Sequence, residues 1–583
     1  MQNTKNWEIL QKLQNKNNKL QIKDILKLLL ENRGLKTKKD IEIFLHPNLG
    51  KVTTKSVGID PKQLSKAIKR IEKAIEKNEE IVVYGDYDVD GITASSILWE
   101  TLYELGGNCL PYIPNRKDEG YGLSVKGINN LKEHISKFNN IALIITVDNG
   151  IVANEAVDFA NKNNIDVIIT DHHTISETIP NAHAIVHTTN LCGAGIAYLL
   201  SKELKVKNKK YNFDKDNHLE LAALGTVADL VPLIGANRTI VFEGLKKIHN
   251  TKRVGLHALF QQASIDQQNV GVYEIGYIIG PRLNASGRID SAMDSLRLLC
   301  TTNNKRAREL AVKLEMINRE RQQLLKEAAE HAINNINDQS SKVKRILIVG
   351  HQNYEEGVIG LIAGKLVETF YRPSIVLSLG EDVSKASVRS ISGFNIIEFL
   401  RTHSEFFINV GGHPMAAGFT VETSKIDEMR VILENKAEEL ITKELLIRKL
   451  KIDFELPLYL LSQQVYDAIQ SLAPFGMGNP EPVFVSRNVE VVNFRVLGKD
   501  NNHLKLVLKQ HVSGNENLLN NKNSMNGFNN ISHTEGIYEA IAFGMGKLAD
   551  DIRSGDKIDI AYILSENTWN GETKLQLKIR DFK

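Results

Sequence analysis

Residues 81–91 read Ile-Val-Val-Tyr-Gly-Asp-Tyr-Asp-Val-Asp-Gly, and they decide how the rest of the chain is interpreted. The apolar run Ile81–Tyr84 is typical of a buried strand, and three carboxylates follow it at alternate positions, Asp86, Asp88 and Asp90. Alternation places all three on the same side of an extended backbone. Like charges so close together repel one another unless a cation neutralises them. Oxygen ligands suit hard divalent ions such as Mg²⁺ or Mn²⁺, so the stretch predicts a metal site.

Three further clusters of acids or histidines follow in the chain. They are Asp148 after the apolar run Ile141–Val147, Asp171-His172-His173 at the end of the next run, and Asp229 closing a helix-like run from Leu219. Carboxylates and neutral imidazoles form two-metal sites, in which ions about 3.5–4 Å apart promote an in-line phosphoryl displacement. Each cluster alone has a simpler interpretation, since such acids often cap helices or turns and a histidine pair is often structural. Their joint occurrence favours the metal site.

Strands and helices alternate through this part of the chain. The expected strands Ile81–Tyr84, Ile141–Val147 and 166–170 are continuous apolar runs, separated by the expected helices Thr93–Leu105 and 153–161. Continuous runs indicate a parallel sheet that is covered on both faces. In such sheets ligands bind beyond the carboxyl ends of the strands, where the acidic clusters fall.

The rest of the sequence predicts a long helix and two further domains. Residues 303–337 contain no Gly or Pro and have helical apolar spacing, which predicts a helix of up to about 50 Å. A second α/β unit is expected from Arg345 to about Ile447, and short strands from 451 to 583 indicate a small antiparallel barrel. Residues 1–48 are expected to be helical, and the Asn-rich segment 514–532 to be a disordered loop. The predicted fold class is α/β, with two lobes joined by a long helix and a C-terminal barrel.

The length and composition of the chain limit the classes of protein to which it can belong. With 583 residues the chain is expected to form about three or four domains. The net charge of +3 does not by itself indicate a nucleic-acid binder, so any basic surface must be local. The three separated cysteines form no zinc or disulfide pattern, and no apolar run approaches the roughly 18 residues of a membrane span. We therefore expect a cytoplasmic protein without membrane contact.

Four ordered motifs resemble those of the DHH phosphoesterase superfamily. They are Asp-Tyr-Asp-Val-Asp-Gly, Val-Asp-Asn-Gly, Asp-His-His and Gly-Thr-Val-Ala-Asp. Residues 280–288, 314–322, 411–418 and 473–482 are similar to segments typical of its branch of single-strand-specific DNA exonucleases. The likeness covers about residues 84–583. It implies a helical segment 1–48, a DHH catalytic domain 49–235, a connecting region with the long helix 236–340, a DHH-associated domain (DHHA1) 341–447 and an OB-fold nucleic-acid-binding domain 451–583.

The resemblance also assigns roles within the clusters. It implies that the principal metal ligands are Asp88, Asp90, Asp148, His172 and Asp229, with Asp148 bridging two Mn²⁺ or Mg²⁺ ions. Asp86 is a further ligand candidate or an outer acid. Asp171 would orient its neighbours, as carboxylates do for metal-bound histidines, and His173 would face the scissile phosphate. Many members have His where this chain has Tyr84, which we give no metal role.

Two further groups are predicted to bind phosphate, because metal ions alone do not hold a polymer. Arg282, Asn284 and Arg288 offer donors for phosphate oxygens, although the segment could also be a surface loop that joins domains. In the second lobe, the expected phosphate-binding residues are Ser387, Arg389, Gly412 and His413 in a Gly-rich turn, which could instead be structural. In the barrel, the aromatics available for base stacking are Phe494, Tyr538, Phe543 and Trp569, although barrel aromatics usually belong to the core.

The resemblance implies a 5′→3′ exonuclease that hydrolyses single-stranded DNA to mononucleotides in recombination and repair. We expect a monomer, with single-stranded DNA as substrate and with a helicase and a single-strand-binding protein as partners. Three alternatives remain: a hydrolase of short oligonucleotides, cyclic dinucleotides or pyrophosphate; an inactive scaffold of the same superfamily; and an RNA-directed exonuclease. The large C-terminal region disfavours the first alternative, and the intact acid clusters disfavour the second.

Overall fold

The computed structural model describes residues 5–11, 21–116, 118–134, 140–208, 217–289, 291–339, 343–510 and 537–583. The Asn-rich segment 514–532 lies outside the described residues. The chain divides into two units. One comprises Met1–Leu45, Ile447–Ala473 and Pro480–Lys583, and the other comprises His46–Leu446 and Pro474–Asn479. No helix in the described part of the chain is long and apolar enough to cross a membrane.

A five-stranded parallel sheet forms the first lobe of the larger unit, as predicted. Its strands lie in the order Cys109–Tyr112, Glu80–Tyr84, Ile141–Val147, Asp166–Asp171 and Ala184–His187. Helices surround it at Pro61–Glu76, Val89–Glu104, Val125–His134, Asn154–Lys162, Gly193–Lys207 and Leu219–Ala228. Ile81 and Val83 pack in one core cluster, whereas Val82 and Tyr84 pack in another. Both faces of the sheet are therefore covered, which explains the continuous apolar strands.

The structure corrects the expected geometry of the three alternating acids. The strand ends at Tyr84, and the next helix begins at Val89, not at Thr93. Asp88 is the N-cap residue of that helix, and its side chain accepts a hydrogen bond from the Gly91 amide at 3.0 Å. The acids therefore lie in a turn and a first helical turn, not on one side of an extended strand. Capping by a carboxylate overrides the alternating pattern.

A helical region connects the two lobes of this unit. Its α-helices are Gly235–His249, Val254–Gln262, Val272–Glu274, Gly280–Ile289, Met293–Cys300 and Asn304–Gln339, with a π-helical turn at Ile275–Ile279. The long helix confirms the prediction for 303–337, and its 36 residues span about 54 Å. Leu256, Leu298 and Leu310 pack in the same core cluster as the first sheet, so this region extends that core.

The second lobe contains a mixed five-stranded sheet. Its strands lie in the order Phe407–His413, Ala416–Glu422, Val383–Arg389, Ser374–Ser378 and Leu347–His351. Only the last two strands are parallel to each other. The helices of this lobe are Ile359–Phe370, Ile396–Arg401 and Ile426–Leu440. The predicted second α/β lobe is thus confirmed.

The smaller unit contains the predicted barrel. Its strands are Phe484–Leu497, His503–Lys509, Ile537–Ala542, Glu572–Phe582 and Lys557–Trp569, in that order, and the last pairs with the first. A short strand, Phe454–Glu455, and the helix Gln463–Gln470 accompany them. The antiparallel prediction holds except for two parallel pairings, of Ile537–Ala542 with Glu572–Phe582 and of Phe454–Glu455 with Phe484–Leu497.

The N-terminal residues differ from their expected helical state. Helices form at Ile22–Asn32 and Lys38–Leu45, but Asn6–Ile9 is a strand that pairs in parallel with Lys449–Ile452. The Trp7 indole nitrogen donates to Asp581 at 2.6 Å. The helical prediction was wrong here because the strand depends on partners more than 400 residues away, which local sequence does not reveal.

Candidate metal centre

The acid and histidine clusters converge at the carboxyl edge of the parallel sheet. Three sets of side chains have potential ligand atoms within 4.8 Å of one another: Asp86, Asp88 and Asp148; Asp90, His172 and Asp229; and Asp148, His172 and His173. Asp148 and His172 each belong to two sets, but only the carboxylate of Asp148 has two oxygens that can be shared by two ions. The structure therefore brings together every acid and histidine of the four clusters except Asp171, which lies directly behind them.

His172 lies at the centre of the second and third sets. Its Nε2 is 3.1 Å from Asp148 Oδ1, 3.7 Å from Asp229 Oδ2 and 3.8 Å from Asp90 Oδ2. Burial lowers the pKa of His172, although Asp90 opposes this shift. A neutral imidazole is the form that binds metals, so its environment favours a ligand role.

Four buried atoms at this position have no hydrogen-bond partner within the described residues: Asp86 Oδ1, Asp148 Oδ1, His172 Nε2 and Asp229 Oδ2. Buried polar atoms are nearly always satisfied, and a cluster of exceptions requires an explanation. Carboxylate oxygens together with imidazole nitrogens are suitable ligands for Mn²⁺ or Mg²⁺. The residues therefore fit a divalent-ion site.

The carboxyl groups oppose one another electrostatically. Burial raises the pKa of Asp86, Asp88 and Asp148, and the neighbouring carboxylates raise it further. The same two causes raise the pKa of Asp229 to about 9. A divalent cation would reverse this effect, because ligands must be deprotonated to bind it.

Local backbone geometry fixes two of the acids. Asp148 has a φ of 64°, a left-handed conformation that Asp and Asn tolerate better than most residues. Asp90 is held differently, because its two oxygens accept hydrogen bonds from the Gly193 and Ala194 amides at 2.6 and 2.8 Å. These amides lie at the N-terminus of the helix Gly193–Lys207, whose dipole favours a negative charge.

Close packing around Asp90 explains one glycine of the fourth motif. A Cβ atom at Gly225 would lie 2.6 Å from Asp90 Oδ1. A side chain at this position would displace the acid, so the helix that ends at Asp229 can approach Asp90 only with glycine there. The first and fourth clusters are thereby kept together.

Asp171 and His173 form a hydrogen-bonded pair beside the metal ligands. Asp171 Oδ1 is 2.7 Å from His173 Nδ1, and it accepts hydrogen bonds from the backbone amides of His172 and His173. The pKa of His173 is raised, since the contact with Asp171 outweighs the opposing effect of burial. His173 Nε2 lies 3.2 Å from the hydroxyl of Tyr121, a residue that the sequence did not single out. The neighbouring histidines thus have pKa shifts of opposite sign, which suits a ligand and a charged donor.

A cluster of arginines lies near the metal centre, formed by Arg116, Arg288, Arg321 and Arg389. The pKa of Arg288 is lowered to about 10 by burial and by the charges of the other three. Burial and Arg116 also lower the pKa of Arg389. Arg288 Nη1 donates to the Gly357 carbonyl at 3.0 Å. No close ion pair with a carboxylate is found for Arg116, Arg288 or Arg389 in the described part of the chain, and the only acid on which Arg116 is seen to act there is Asp86 of the metal centre. The cluster is therefore suited to an anion.

Arg116 was missed by the sequence analysis. It follows the strand Cys109–Tyr112 at the same sheet edge as the acids, and its guanidinium lies 5.1 Å from the centre of the Tyr87 ring. A basic residue shortly after an edge strand was the available signal. That signal is weak because the strand itself is short and half-buried.

The second-lobe residues lie at one end of the mixed sheet. Ala416 pairs with both Arg389 and His413 on its two sides, and Arg389 Nη1 donates to Ser387 Oγ at 3.3 Å. The expected Gly-rich turn is wrong in one respect. Gly412 and His413 are the end of an edge strand, paired with Ala417 and Ala416, and the turn follows at 414–415. Gly412 has a φ of 144°, which favours glycine.

Two of the predicted phosphate-binding residues have protein partners instead. Arg282 forms an ion pair with Glu315 at 2.8 Å and donates to the Ile278 carbonyl. Asn284 Oδ1 accepts a hydrogen bond from the Val89 amide at 2.9 Å and so supports the acidic turn. The segment is a helix, not a surface loop. Phosphate contacts by Arg282 and Asn284 remain predictions, to which the structure adds these supporting roles.

Two protein-family models match the parts of the chain that form this site. The model of the DHH family, N-terminal domain, matches residues 80–226, and that of the DHHA1 domain matches 340–439. The first match contains all the acid and histidine clusters except Asp229, and the second contains Arg389 and His413. The fold and the site therefore define a phosphoesterase of the DHH class.

The remaining matches identify one family within this class of phosphoesterases. The model of the RecJ OB domain matches residues 452–519 and 528–581. The single-stranded-DNA-specific exonuclease RecJ of Bacillus subtilis is 33% identical over 593 residues, which cover 99% of this chain and 70% of that protein. Crystal structures of RecJ from Thermus thermophilus in complex with Mn²⁺ and with Mg²⁺ match 99% of this chain, with 27% and 25% identity. Their TM-scores are 0.78 and 0.71, and the match covers 79% and 78% of those chains. The chain belongs to the RecJ family.

Replacing one acid should relieve the repulsion and remove the response to metal. Asp148→Asn keeps the shape and tolerates the left-handed backbone. We expect this variant to raise the Tm of the metal-free protein by about 2 °C or more, because one buried charge is removed. Mn²⁺ should stabilise the natural protein but no longer the variant. Thermal unfolding in chelator and in Mn²⁺ measures both effects. Asp158→Asn, at an exposed position, is the matched control, and an equal Mn²⁺ response in all three proteins would contradict a metal role for Asp148.

Asp171→Asn should change the pH dependence of activity. His173 has a raised pKa, so its positive charge is present below that pKa and is lost as the pH rises through it. Removing the Asp171 charge should move this loss to lower pH by about one unit and lower activity roughly tenfold or more. The alkaline limb of kcat/KM measures the shift. An unmoved limb would show that His173 does not act as a charged group.

Proposed function

We infer that this protein is a metal-dependent exonuclease that hydrolyses single-stranded DNA from its 5′ end to mononucleotides, in DNA recombination and repair. The observation that carries this inference is the buried carboxylate and histidine cluster, with unsatisfied ligand atoms, beside arginines that lack carboxylate partners. Membership of the RecJ family supports the specificity for single strands. The 5′→3′ direction and the mononucleotide product belong to the proposal.

The residues that would hold the metal ions in this proposal are Asp86, Asp88, Asp90, Asp148, His172 and Asp229, and Asp148 would be shared by the ions. Bound divalent ions supply positive charge that promotes water attack and stabilises the charge developing on the phosphate. The protein groups position the reaction. Asp171 holds His173 in one orientation, and His173 presents a charged donor to the scissile phosphate.

The arginine cluster would bind the terminal phosphate of the strand. The charges of Arg116 and Arg389 both lower the pKa of Arg288, so the three side chains act on one another. Ser387 accepts a hydrogen bond from Arg389. Arginine binds phosphate through paired hydrogen bonds, and several cations in a partly buried position favour a doubly charged terminal phosphate over an internal one. Gly412 and His413 border the same sheet end, so we include them as phosphate-binding candidates.

The barrel would bind the single strand. OB-folds bind single strands by stacking bases on aromatic side chains. Phe543 and Trp569 are exposed and available for stacking. Tyr538 is buried and its hydroxyl donates to the Leu461 carbonyl, so it belongs to the barrel core.

The wider setting of the enzyme is part of the same proposal. We propose a cytoplasmic monomer that acts with a helicase, which supplies the single strand, and with a single-strand-binding protein. The domain limits predicted from the sequence, 1–48, 49–235, 236–340, 341–447 and 451–583, also remain proposals. The family matches at 80–226, 340–439 and 452–581 fall within three of these regions to within one residue.

An end-labelling experiment tests the central inference. Single-stranded DNA labelled at its 5′ end should release a labelled mononucleotide in the earliest turnovers with Mn²⁺ or Mg²⁺. The same strand labelled at its 3′ end should keep its label in long products. Duplex DNA should resist cleavage, and a chelator should stop the reaction.

Parallel substrates separate the alternatives. Equal cleavage of RNA would contradict DNA specificity. Hydrolysis confined to dinucleotides, cyclic dinucleotides or pyrophosphate would identify a different DHH hydrolase, and binding without cleavage of any substrate would identify an inactive scaffold.

Arg288→Gln should weaken the binding of a 5′-phosphorylated strand. The loss of one phosphate contact should raise KM about tenfold and reduce the slope of log K against log salt by about 0.7. A 5′-hydroxyl strand should be affected much less. Arg297→Gln is the matched control, because Arg297 pairs with Asp294 at 2.9 Å. We expect that variant to leave KM and the salt slope unchanged. An equal reduction of the slope in Arg297→Gln would contradict a phosphate contact by Arg288.

A further inference from the structure

Tyr273 and Tyr277 form an exposed stacked pair in the connecting region. Their ring centroids are 5.0 Å apart with an interplanar angle of 26°, and the residues are 63% and 74% exposed. Two tyrosines so exposed are unusual in a region whose neighbouring Ile275 and Ile279 are buried in the core. Stacked, accessible aromatic rings are the feature on which proteins bind the bases of single strands.

The helical segment that carries the pair runs along the metal centre. Near its C-terminal end, a Cβ atom at Gly287 would lie 2.5 Å from the Tyr87 carbonyl oxygen. One turn earlier, Asn284 accepts the hydrogen bond from the Val89 amide. Another turn earlier, a Cβ atom at Gly280 would lie 3.9 Å from the Cβ of Ala228, which precedes Asp229. From residue 287 back to residue 280, the segment therefore contacts the acidic turn and then the helix end that precedes Asp229.

These contacts place Arg288 and the tyrosines at opposite ends of the segment, with the metal ligands between them. At 1.5 Å per residue, Tyr277 and Tyr273 are about 16 and 22 Å along the axis from Arg288. With a terminal phosphate at Arg288 and the scissile phosphate at the metal ligands, the uncleaved strand continues towards the tyrosines. At the spacing of a stacked strand, this distance corresponds to about five to seven nucleotides.

We propose that Tyr273 and Tyr277 form a base-stacking platform for the uncleaved part of the DNA strand. This inference rests on the proposed function. Tyr277 lies within the π-helical turn Ile275–Ile279 and Tyr273 lies just before it, and such turns occur often at functional sites. The platform would hold the strand in line after each cleavage, so it concerns binding and processivity and not the chemical step.

A second stacked aromatic pair, in which Tyr103 is exposed and Trp99 is half-buried, provides a control. Tyr103 is 67% exposed and stacks on Trp99 with ring centroids 5.7 Å apart. It lies near the end of the helix Val89–Glu104, about 20 Å along the axis from Asp90. This pair has the same chemistry, but its helix leads away from the metal centre.

The test uses the full-length protein with Tyr273→Ala/Tyr277→Ala, Tyr273→Phe/Tyr277→Phe and Tyr103→Ala. We expect the double alanine variant to raise KM for a strand of about twelve nucleotides roughly tenfold, with kcat unchanged. Cleavage of a 5′-phosphorylated dinucleotide should be unchanged, because it cannot reach the platform. The double phenylalanine variant and Tyr103→Ala should behave like the natural protein.

A spectroscopic measurement is independent of folding effects in the variants. 2-Aminopurine placed about six nucleotides from the 5′ end should lose fluorescence on binding to the natural protein in chelator, since stacking quenches it. The loss should be absent in the double alanine variant. Unchanged KM and quenching in that variant would overturn the platform and leave the surface for a protein partner. An equal loss of dinucleotide cleavage would also overturn it. If the natural protein cleaves no single strand, the proposed function itself fails.

Discussion

The structure depends on the burial of several negative charges at one position. Asp86, Asp88, Asp148 and Asp229 come from different parts of the chain and meet beyond the ends of parallel strands. Their pKa values are raised because each is removed from water and faces the others. Without a cation the repulsion among these carboxylates is unfavourable. The folded protein is therefore expected to bind divalent ions.

A positive region balances this negative one at close range. Arg116, Arg288 and Arg389 come from the sheet edge, the connecting region and the second lobe. Burial and repulsion from the neighbouring arginines lower the pKa of Arg288. Cations grouped without carboxylate partners are as unfavourable as grouped acids, unless an anion binds. A substrate with one phosphate at each region would relieve both repulsions, so binding and catalysis share one electrostatic origin.

The connecting region fixes the positions of the two charged regions relative to each other. The segment 280–289 supports the acidic turn through Asn284 and carries Arg288, which reaches the Gly357 carbonyl of the second lobe. Arg282, on the same segment, pairs with Glu315 of the long helix. Packing and ion pairs around this segment thus hold both charged regions in place, and a change in those contacts would move them.

The sequence alone was sufficient for the parallel sheet, the long helix, the barrel and the acidic clusters, because apolar periodicity and motif order are local properties. It was misleading where a side chain overrode periodicity, as at the Asp88 cap, and where pairing was distant, as at Asn6–Ile9. Only the tertiary structure showed that Arg282 pairs with Glu315 and that Arg116, Arg288 and Arg389 form a cluster of like charges. It also decided that Arg116 and Tyr121 belong to the site and that Tyr273 and Tyr277 are exposed. The physical reason is that charge environment and exposure arise from residues far apart in the chain, and a single sequence gives their types but not their neighbours.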